Sequence, residues 1–479
     1  MMNETTKKER VRRLLDRAIF AALVAVTTLA VVPYGSVDPW WEGMFEAAVF
    51  ALGALWMVEG ALGSGWFVAT HRMLVPSAAL LLFAVVQTLS FGVVNVAGVA
   101  TRTTLSADSF ETVRFVLKLA SLMLLAALWL RYTSSHRRLR ALVLMVVGIG
   151  VASALFGIVR QVMQTEETLR LISPRLAANR DGYAQFINRN HFAFLAEMSF
   201  GAAAGLVVGS FKRRERLPLY FALALVVWAS IILSNSRGGI LGMFVVLTVV
   251  ALLYFAFVRR TGETTEMHGD EAVRASAGAG RRLVVRVGLA FGLLLVSAGV
   301  VWIGGERLAE RLETVATEVG ERDAKVRWGD RRVEIWGATW ALIRERPLAG
   351  AGFGAYRAAI TKHHDASGEM SLEQAHNDYL ELAASGGVIG VALVAWFVFA
   401  FVGRARVGLG SRDFFRRAVC AGALGGLCAI AVHSLFDFGL HVTANASLFV
   451  ALVAVATADS RVERRDGERV RRRVFARRF

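Results

Sequence analysis

The chain has 479 residues, of which 55% are hydrophobic and only 19% charged. Soluble domains have about 25% charged residues, and apolar runs of about 20 residues are long enough to cross a bilayer. The composition therefore excludes an ordinary soluble protein and predicts an all-α polytopic membrane protein. The net charge of +17 lies in short basic clusters between the apolar runs, which indicates loops at a membrane surface and no nucleic-acid partner.

Twelve apolar segments are predicted to cross the membrane as helices. The first has a basic flank and no small-residue cleavage site, so it is predicted to be a retained anchor and not a removed signal peptide. In chain order, the predicted spans are 18–33, 44–60, 74–91, 112–130, 141–160, 191–210, 217–234, 239–258, 283–303, 387–403, 417–434 and 442–458.

The loops between these spans alternate in charge. Basic clusters occur in both tails and after spans 4, 6, 8 and 10, whereas the loops after spans 1 and 11 have no basic residue. Because Lys and Arg mark cytoplasmic loops, both termini are predicted to be cytoplasmic. The predicted divisions are a basic tail (1–17), nine spans (18–303), a large outer loop (304–386), three spans (387–458) and an Arg-rich tail (459–479).

Nearly every polar cluster that is not simply basic falls in a predicted outer loop. The clusters are FINRNHF (186–192), SNSRGG (234–239), the large loop 304–386 and HSLFDFGLH (433–441). This asymmetry predicts an extracytoplasmic active or binding site at the membrane surface.

The large outer loop is predicted to be structured and functional, as a lid or a site wall. Residues 331–346 have helical periodicity and end before Pro347, which stops a helix. LAGAGFGAY (348–356) is predicted to be a flexible, glycine-rich turn. This helix has one apolar stripe, which we call the tryptophan stripe. It is predicted to pack against the membrane surface or neighbouring helices in preference to stacking on a ligand. It consists of Val333, Trp336, Trp340 and Ile343.

A reaction at an outer surface lacks ATP and nucleotide sugars, so it needs a pre-activated donor such as a lipid diphosphate. Arginine suits a diphosphate leaving group because its guanidinium stays charged and binds phosphate oxygens bidentately. Arg237 is the best placed, in a very short turn beside two glycines that allow close backbone approach. The other candidate cations are Arg102, Arg189, Arg331 and Arg332, with Arg114 and Lys118 on one face of span 4.

An acceptor hydroxyl needs positioning and a base, and neutral histidine is the usual base near pH 7. The candidates are His191, His376, His433, His441 and the pair His363 and His364. A metal site is the competing interpretation, with Asp365 and Asp378 as further ligands. However, the sequence has no HExxH or CxxC spacing, and no GxSxG elbow indicates a serine nucleophile. No metal or other cofactor is therefore predicted.

One stretch carries a family resemblance. His376 and Asn377, then nine residues, then Gly387 and Gly390 resemble the H-N and G-x-x-G motif of the O-antigen ligase and polymerase superfamily of membrane glycosyltransferases. Further similar pieces occur in the expected order over roughly residues 180–445. They are NRNHF (188–192), SRGG (236–239), Arg332 to Trp336 followed by RPLAGAGFGAY (346–356), and HSLFDFGLH.

The resemblance implies a GT-C-like fold and a transferase that needs neither metal nor nucleotide. It implies glycan transfer from an undecaprenyl-diphosphate carrier to a hydroxyl acceptor at the periplasmic face of the bacterial inner membrane. The implied catalytic residues are His376, Arg237 and Arg332. The predicted substrate-binding residues, taken from these motifs and from the candidate cations and histidines above, are Asn377, Arg189, Asn190, His191, Arg331, Arg114, Lys118, His433, Asp437 and His441.

Two departures bear on the type of transferase. Val391 and Ala392 follow the G-x-x-G where many ligases have T-G, and HSLFDFGLH is more similar to exopolysaccharide polymerases. A polymerase-like transferase is therefore favoured, with a lipopolysaccharide ligase to lipid A-core or a protein O-oligosaccharyltransferase as alternatives. Implied partners are membrane lipids, a chain-length regulator and a flippase. A flippase or exporter is the alternative of another class, but it predicts internal repeats, and none is evident.

Overall fold

The computed structural model describes most of the chain. The predicted span 283–303, residues 304–327 of the large loop and the tail 459–479 lie outside the described residues. The described residues are 2–66, 68, 71–96, 99–162, 182–211, 214–258, 328–364 and 372–458.

This part of the chain forms thirteen α-helices and one two-stranded antiparallel hairpin. The helices are α1 (Met2–Leu29), α2 (Pro39–Glu59), α3 (Val75–Thr88), α4 (Ser109–Tyr132), α5 (His136–Val162), α6 (Arg189–Gly209), α7 (Leu217–Leu233), α8 (Arg237–Leu253), α9 (Trp328–Glu345), α10 (Tyr356–Ile360), α11 (Asp378–Leu409), α12 (Phe414–His433) and α13 (Thr443–Ala456). The strands are β1 (Ser90–Val96) and β2 (Val99–Thr104). The hairpin is a departure from the all-α prediction.

The protein is a multi-pass membrane protein, because eight helices in the described ranges are long and apolar enough to cross a bilayer. These helices are α2, α4, α5, α6, α7, α8, α11 and α12. Two further apolar helices, Arg72–Thr88 and Thr443–Ala456, are shorter. Apart from 283–303, each predicted span overlaps a helix.

The centre of the bundle is the contact between α6 and α12. Both helices carry glycines four residues apart, at 201 and 205 in α6 and at 422 and 426 in α12. A Cβ on Gly422 would lie 2.4 Å from the carbonyl oxygen of Gly201, and one on Gly201 would lie 2.6 Å from the amide nitrogen of Gly426. The two backbones therefore touch, as small residues at this spacing allow in membranes.

Predicted cytoplasmic loops meet at one end of the bundle. Arg131 lies 3.8 Å from Glu59 at the end of α2, and the Arg140 guanidinium donates a 2.5 Å hydrogen bond to the Tyr220 hydroxyl. Arg138 likewise pairs with Asp16. These contacts bring together loops that the positive-inside rule assigns to one side. The orientation of that side stays a prediction.

Predicted outer loops meet at the opposite end. The hydroxyl of Thr104, at the end of the hairpin, contacts Ser109 at 2.9 Å. The following segment contacts the large loop, because the Ala107 amide donates to the Ala351 carbonyl at 2.8 Å and Arg346 donates to the Leu105 carbonyl at 3.1 Å. Loops after spans 3 and 9 therefore share one end of the bundle, as the alternating charge predicts.

The helix predicted over 331–346 is present as α9, but its buried face coincides only in part with the predicted stripe. Ile335, Ala338 and Leu342 are buried, whereas Val333 and Trp340 of the tryptophan stripe are exposed. The stripe is therefore divided, because Trp336 donates to the Ala375 carbonyl and Ile343 packs against the cluster that contains Ala384 of α11. Apolar residues on both sides of α9 leave its buried face ambiguous in the sequence alone.

The glycine-rich turn predicted at 348–356 is present, but it is closely packed where a flexible turn was predicted. Gly350, Gly352 and Gly354 all have positive φ, which favours glycine. A Cβ at Gly350 would lie 2.4 Å from the Ser385 backbone, and one at Gly352 would lie 2.4 Å from Ser106 Oγ. The turn therefore packs tightly against α11 and the segment before α4.

Gln87, buried near the end of α3, holds the same turn. Its side-chain amide donates to the carbonyl oxygens of Ala349 at 2.7 Å and Ser385 at 3.1 Å. Its carbonyl oxygen accepts the Phe353 amide at 3.1 Å. A single side chain of an early helix thus joins the large loop to the start of α11.

Candidate functional site

His376 lies two residues before the start of α11 in a constrained backbone conformation. Its φ is +50°, a left-handed value that is uncommon for residues other than glycine and is found at functional sites. The carboxamide of Asn377 accepts the amide N–H groups of Tyr379 and Leu380, both at 3.0 Å. Asn377 is therefore the N-cap of α11, which gives it a structural task beside the predicted substrate contact.

Ala375, the residue before His376, is fixed on both sides. Its amide donates to Glu381 Oε2 at 2.9 Å, and its carbonyl accepts the indole N–H of Trp336 at 3.1 Å. Trp336 is in α9, so the large loop and α11 together define the backbone at His376. Fixing the backbone on both sides of His376 limits the positions that its side chain can adopt.

Asp437, in the segment between α12 and α13, is the carboxylate partner of His376. Its Oδ1 lies 3.5 Å from His376 Nδ1, with the His376 side chain 24% exposed and the Asp437 side chain 2% exposed. Burial raises the pKa of Asp437, but the nearby His376, His191 and His433 outweigh burial and hold this pKa well below its ordinary value. Asp437 is therefore an anion that can orient the imidazole.

A chain of hydrogen bonds runs from Asp437 to the start of α8. Asn190 Nδ2 donates to Asp437 Oδ2 at 2.5 Å, and the Ser236 hydroxyl donates to Asn190 Oδ1 at 2.8 Å. The same hydroxyl accepts the Gly239 amide at 3.2 Å, which makes Ser236 the N-cap of α8. Arg237 is the first residue of that helix. The predicted motifs NRNHF, SRGG and HSLFDFGLH thus converge through direct contacts.

Phe438 lies among three of the predicted histidines. Its ring centroid is 4.9 Å from that of His376, 5.0 Å from that of His191 and 6.1 Å from that of His441, each at a steep angle. His191 is buried, whereas His441 is exposed. The apolar ring fixes the spacing of the imidazoles and so brings these three predicted residues together.

His441 also faces the first turn of α11. Its Nε2 lies 3.5 Å from Asp378 Oδ1 and 3.6 Å from Glu381 Oε1. The carbonyl oxygen of His441 accepts Lys118 Nζ at 2.7 Å. This residue therefore connects α4, the 439–441 turn and the cap of α11 at the margin of the site.

Arg114 and Lys118, predicted to bind substrate, both have a carboxylate partner in α2. Lys118 Nζ lies 2.6 Å from Glu42 Oε1, and Arg114 lies 3.4 Å from Glu42 Oε2. Arg114 also pairs with Glu111 at 3.0 Å. These contacts give both cations a structural task, which is to hold α2 and α4 beside the segment that contains His441.

The other predicted arginines are described by their positions on helices and strands. Arg332 is half-buried in α9, one helical turn before Trp336, so the two side chains share a face of the helix. Arg189 is the first residue of α6 and is exposed. The side chains of Arg331 and Arg102 lie outside the described residues, although their backbones belong to α9 and β2.

His433, predicted to bind substrate, is buried in the bundle. Its Nδ1 lies 2.7 Å from Glu197 Oε1, and neither side chain is more than 1% exposed. The alternative histidine pair at 363 and 364 is peripheral, and His363 Nε2 lies 2.8 Å from Glu345. In the ranges that the structure describes, no group of three His, Cys, Asp or Glu side chains is arranged to hold a metal ion.

Sequence reasoning missed several residues that build the site. Ser236 lies in the SRGG motif, and Glu381 lies between Asn377 and Gly387. Both could have been found from the local sequence, because serine is a common N-cap and the helix dipole favours a glutamate in the first turn. The indole N–H of Trp336 and the amide of Gln87 act across long sequence separations. Their roles had no local signal.

Residues 219–395 match the family model described as O-antigen ligase. The matched segment begins in α7 and ends in α11, so it includes Arg237, Arg332 and His376. No curated protein matches the chain. The chain therefore carries an O-antigen ligase family domain. This family implies glycosyltransferase-type transfer in the membrane with lipid-linked glycan substrates.

Proposed function

From this family domain, we propose that the protein transfers glycan from an undecaprenyl-diphosphate carrier to a hydroxyl acceptor at the periplasmic face. The observation that carries the proposal is the chain of contacts from His376 through Asp437, Asn190 and Ser236 to the start of α8 at Arg237. It links a histidine suited to proton transfer with a cation suited to a diphosphate.

The proposed step is a displacement at the anomeric carbon of the donor sugar. The acceptor oxygen forms the new C–O bond as the bond between that carbon and the diphosphate oxygen breaks. The electron pair of the broken bond leaves with the lipid diphosphate, and the acceptor proton passes to His376 Nε2. Asp437, near Nδ1, favours the tautomer that leaves Nε2 free and stabilises the imidazolium that forms.

Arg237 is proposed to bind the leaving diphosphate. It is the first residue of α8, whose helix dipole also favours an anion at this end. Arg332 is proposed to contribute a second guanidinium from α9, one turn from Trp336. Since arginine stays charged and needs no metal to stabilise phosphate oxygens, the proposed step is metal-independent. Arg189, at the exposed start of α6, is a further candidate for substrate contact.

An apolar groove gives the isoprenoid chain of the donor a place to bind. The groove has a volume of about 630 Å³ and is lined mainly by α1, α2 and the turn between them, including Leu29, Trp41, Met44 and Ala48. The turn also joins the groove to the site, because its Gly35 carbonyl accepts the amide of Ala444 at the start of α13 at 3.1 Å.

A polymerase-like reaction, in which the acceptor is another lipid-linked glycan, is the proposed form. It is favoured by the HSLFDFGLH segment, which supplies Asp437 and Phe438 to the site. Transfer to a lipopolysaccharide core is the second candidate, because the matching family model is described as O-antigen ligase.

The test uses the full chain in nanodiscs with a lipid-diphosphate-linked oligosaccharide, EDTA, and lipid A-core as an optional acceptor. Release of lipid diphosphate together with longer lipid-linked chains is expected without lipid A-core. Release that requires lipid A-core and produces glycosylated core would favour the ligase instead. Absence of release with every acceptor, or release only when divalent metal is restored, would contradict the proposed chemistry.

A further inference from the structure

A buried polar pair lies directly beneath the site. His433, the last residue of α12, and Glu197, in α6, are joined at 2.7 Å. The ring of Phe194 stacks on His433 with centroids 4.2 Å apart. Ionisable side chains inside a membrane bundle are costly and are usually functional. The proposed transfer step uses neither residue.

Helix α8 lies against this pair through two glycines. A Cβ on Gly238 would lie 2.2 Å from His433 Nε2, and one on Gly242 would lie 2.3 Å from the carboxyl carbon of Glu197. Glycines at 238 and 242 are one turn apart, so the same face of α8 meets both members of the pair. Any larger residue requires either the pair or the helix to move.

The pair also borders the start of α11. Ser434 follows His433, and its carbonyl oxygen accepts the Asp378 amide at 3.0 Å. The Ser434 hydroxyl donates to Asp378 Oδ2 at 2.6 Å. The end of α12 therefore touches both helix starts that carry the proposed catalytic groups, α8 through Gly238 and α11 through Asp378.

We propose that His433 and Glu197 form a positioning pair that sets the first turn of α8, and with it Arg237, relative to His376. The inference rests on the proposed function, in which Arg237 binds the donor diphosphate. A fixed imidazole in contact with Gly238 defines the depth of α8 in the bundle. The Ser236 cap, bonded to Asn190, defines the rotation of its first turn.

The first test is a double-mutant cycle on donor KM with the full chain in nanodiscs. His433→Gln is expected to raise the KM for the lipid-diphosphate donor about tenfold or more, because small displacements of a substrate-binding group are costly. In the Arg237→Ala background, the same substitution is expected to raise the donor KM less than threefold, because the pair acts through Arg237. A merely structural role would not produce this difference.

The outcomes separate this inference from the proposed function. An equal rise in donor KM in both backgrounds would overturn the positioning role alone. An unchanged donor KM in Arg237→Ala itself would overturn the diphosphate role of Arg237, and the positioning role with it. A cycle with the expected non-additivity supports both.

A second variant tests the same inference even if the His433→Gln protein fails to fold. Gly238→Ala leaves both members of the pair chemically intact and displaces only the contact, so it is expected to raise donor KM by a similar factor. Gly148→Ala is the matched control, since a Cβ at Gly148 in α5 meets nothing within 4 Å. A Gly238→Ala protein with the donor KM of the Gly148→Ala control would overturn the inference.

Discussion

Replacing Asp437 by asparagine removes the negative charge behind His376 while preserving side-chain size. The carboxylate contacts three groups: His376 Nδ1 at 3.5 Å, Asn190 Nδ2 at 2.5 Å and its neighbouring Phe438 amide at 2.9 Å. If the new amide nitrogen faces His376, the imidazole must carry its proton on Nε2 and cannot accept one there. If it faces Asn190, both that carboxamide and the Ser236 hydroxyl must reorient.

The magnitude follows from the distance between the charges. Two unit charges 3.5 Å apart interact by about 5 kcal/mol at an effective dielectric constant of about 20. Partial exposure of His376 reduces this value, and the loss of general-base catalysis alone costs about 10²- to 10⁴-fold in rate. We therefore expect kcat to fall by about 10²- to 10⁴-fold, or about 3–5 kcal/mol in the barrier.

The assay measures kcat and donor KM separately for the purified full chain in nanodiscs. Donor KM is expected to change much less than kcat, because Asp437 reaches Arg237 only through Asn190 and the Ser236 cap. Asp413→Asn is a matched control at the opposite end of the bundle, where Asp413 caps α12 and asparagine caps equally well. A kcat within threefold of wild type for Asp437→Asn would refute the role assigned to this carboxylate.

Arg237→Ala is expected to raise donor KM at least tenfold. Arg237→Lys should recover part of the loss, because lysine retains the charge without the bidentate fork. A donor KM for Arg237→Ala equal to that of wild type would count against a diphosphate contact. Ala48→Trp fills the apolar groove, so it should raise the KM for a long-chain donor and leave the KM for a short-chain analogue unchanged. The control variant Ala47→Trp, at an exposed neighbouring position, should leave both KM values unchanged. Trp336→Phe removes the hydrogen bond to Ala375, worth about 1 kcal/mol of stability, so Tm should fall by about 2–4 °C at most. We expect kcat to fall a few-fold, and an unaltered kcat would reject this support of His376.

Much of the fold follows from hydropathy and charge alone. The apolar segments gave the spans, and the alternating basic clusters predicted which loops meet at each end. Helix limits were less predictable: α11 begins at Asp378, well before the predicted span at 387, because its first turns lie under the Asn377 cap and not in an apolar run. The strands Ser90–Val96 and Val99–Thr104 lie in and after a segment apolar enough to resemble the end of a span.

The sequence predicted several residues that the structure brings together, but it did not predict the contacts that connect them. Motif similarity and compartment identified His376, Asn190, Asp437 and Arg237, which the structure links through Ser236. Which polar groups face each other depends on how distant helices pack, and a single sequence has no periodicity that reports this.

The same limit applies to the cations of span 4. Glu42, on α2, is the partner of Lys118, and nothing local to span 4 indicates that contact. The burial of His433 against Glu197 arises likewise from the close approach of α6 and α12. These contacts between helices assign structural tasks to residues that look like ligands in the sequence.

The most direct test of the central claim is the turnover of His376→Asn with a lipid-diphosphate donor. Asparagine tolerates the left-handed φ of +50° at this position, so the variant keeps the backbone and removes the base. We predict that kcat falls by at least about 10²-fold with donor KM and thermal stability near those of wild type. A correctly folded His376→Asn protein with near-wild-type kcat would contradict the assignment of His376 as the base.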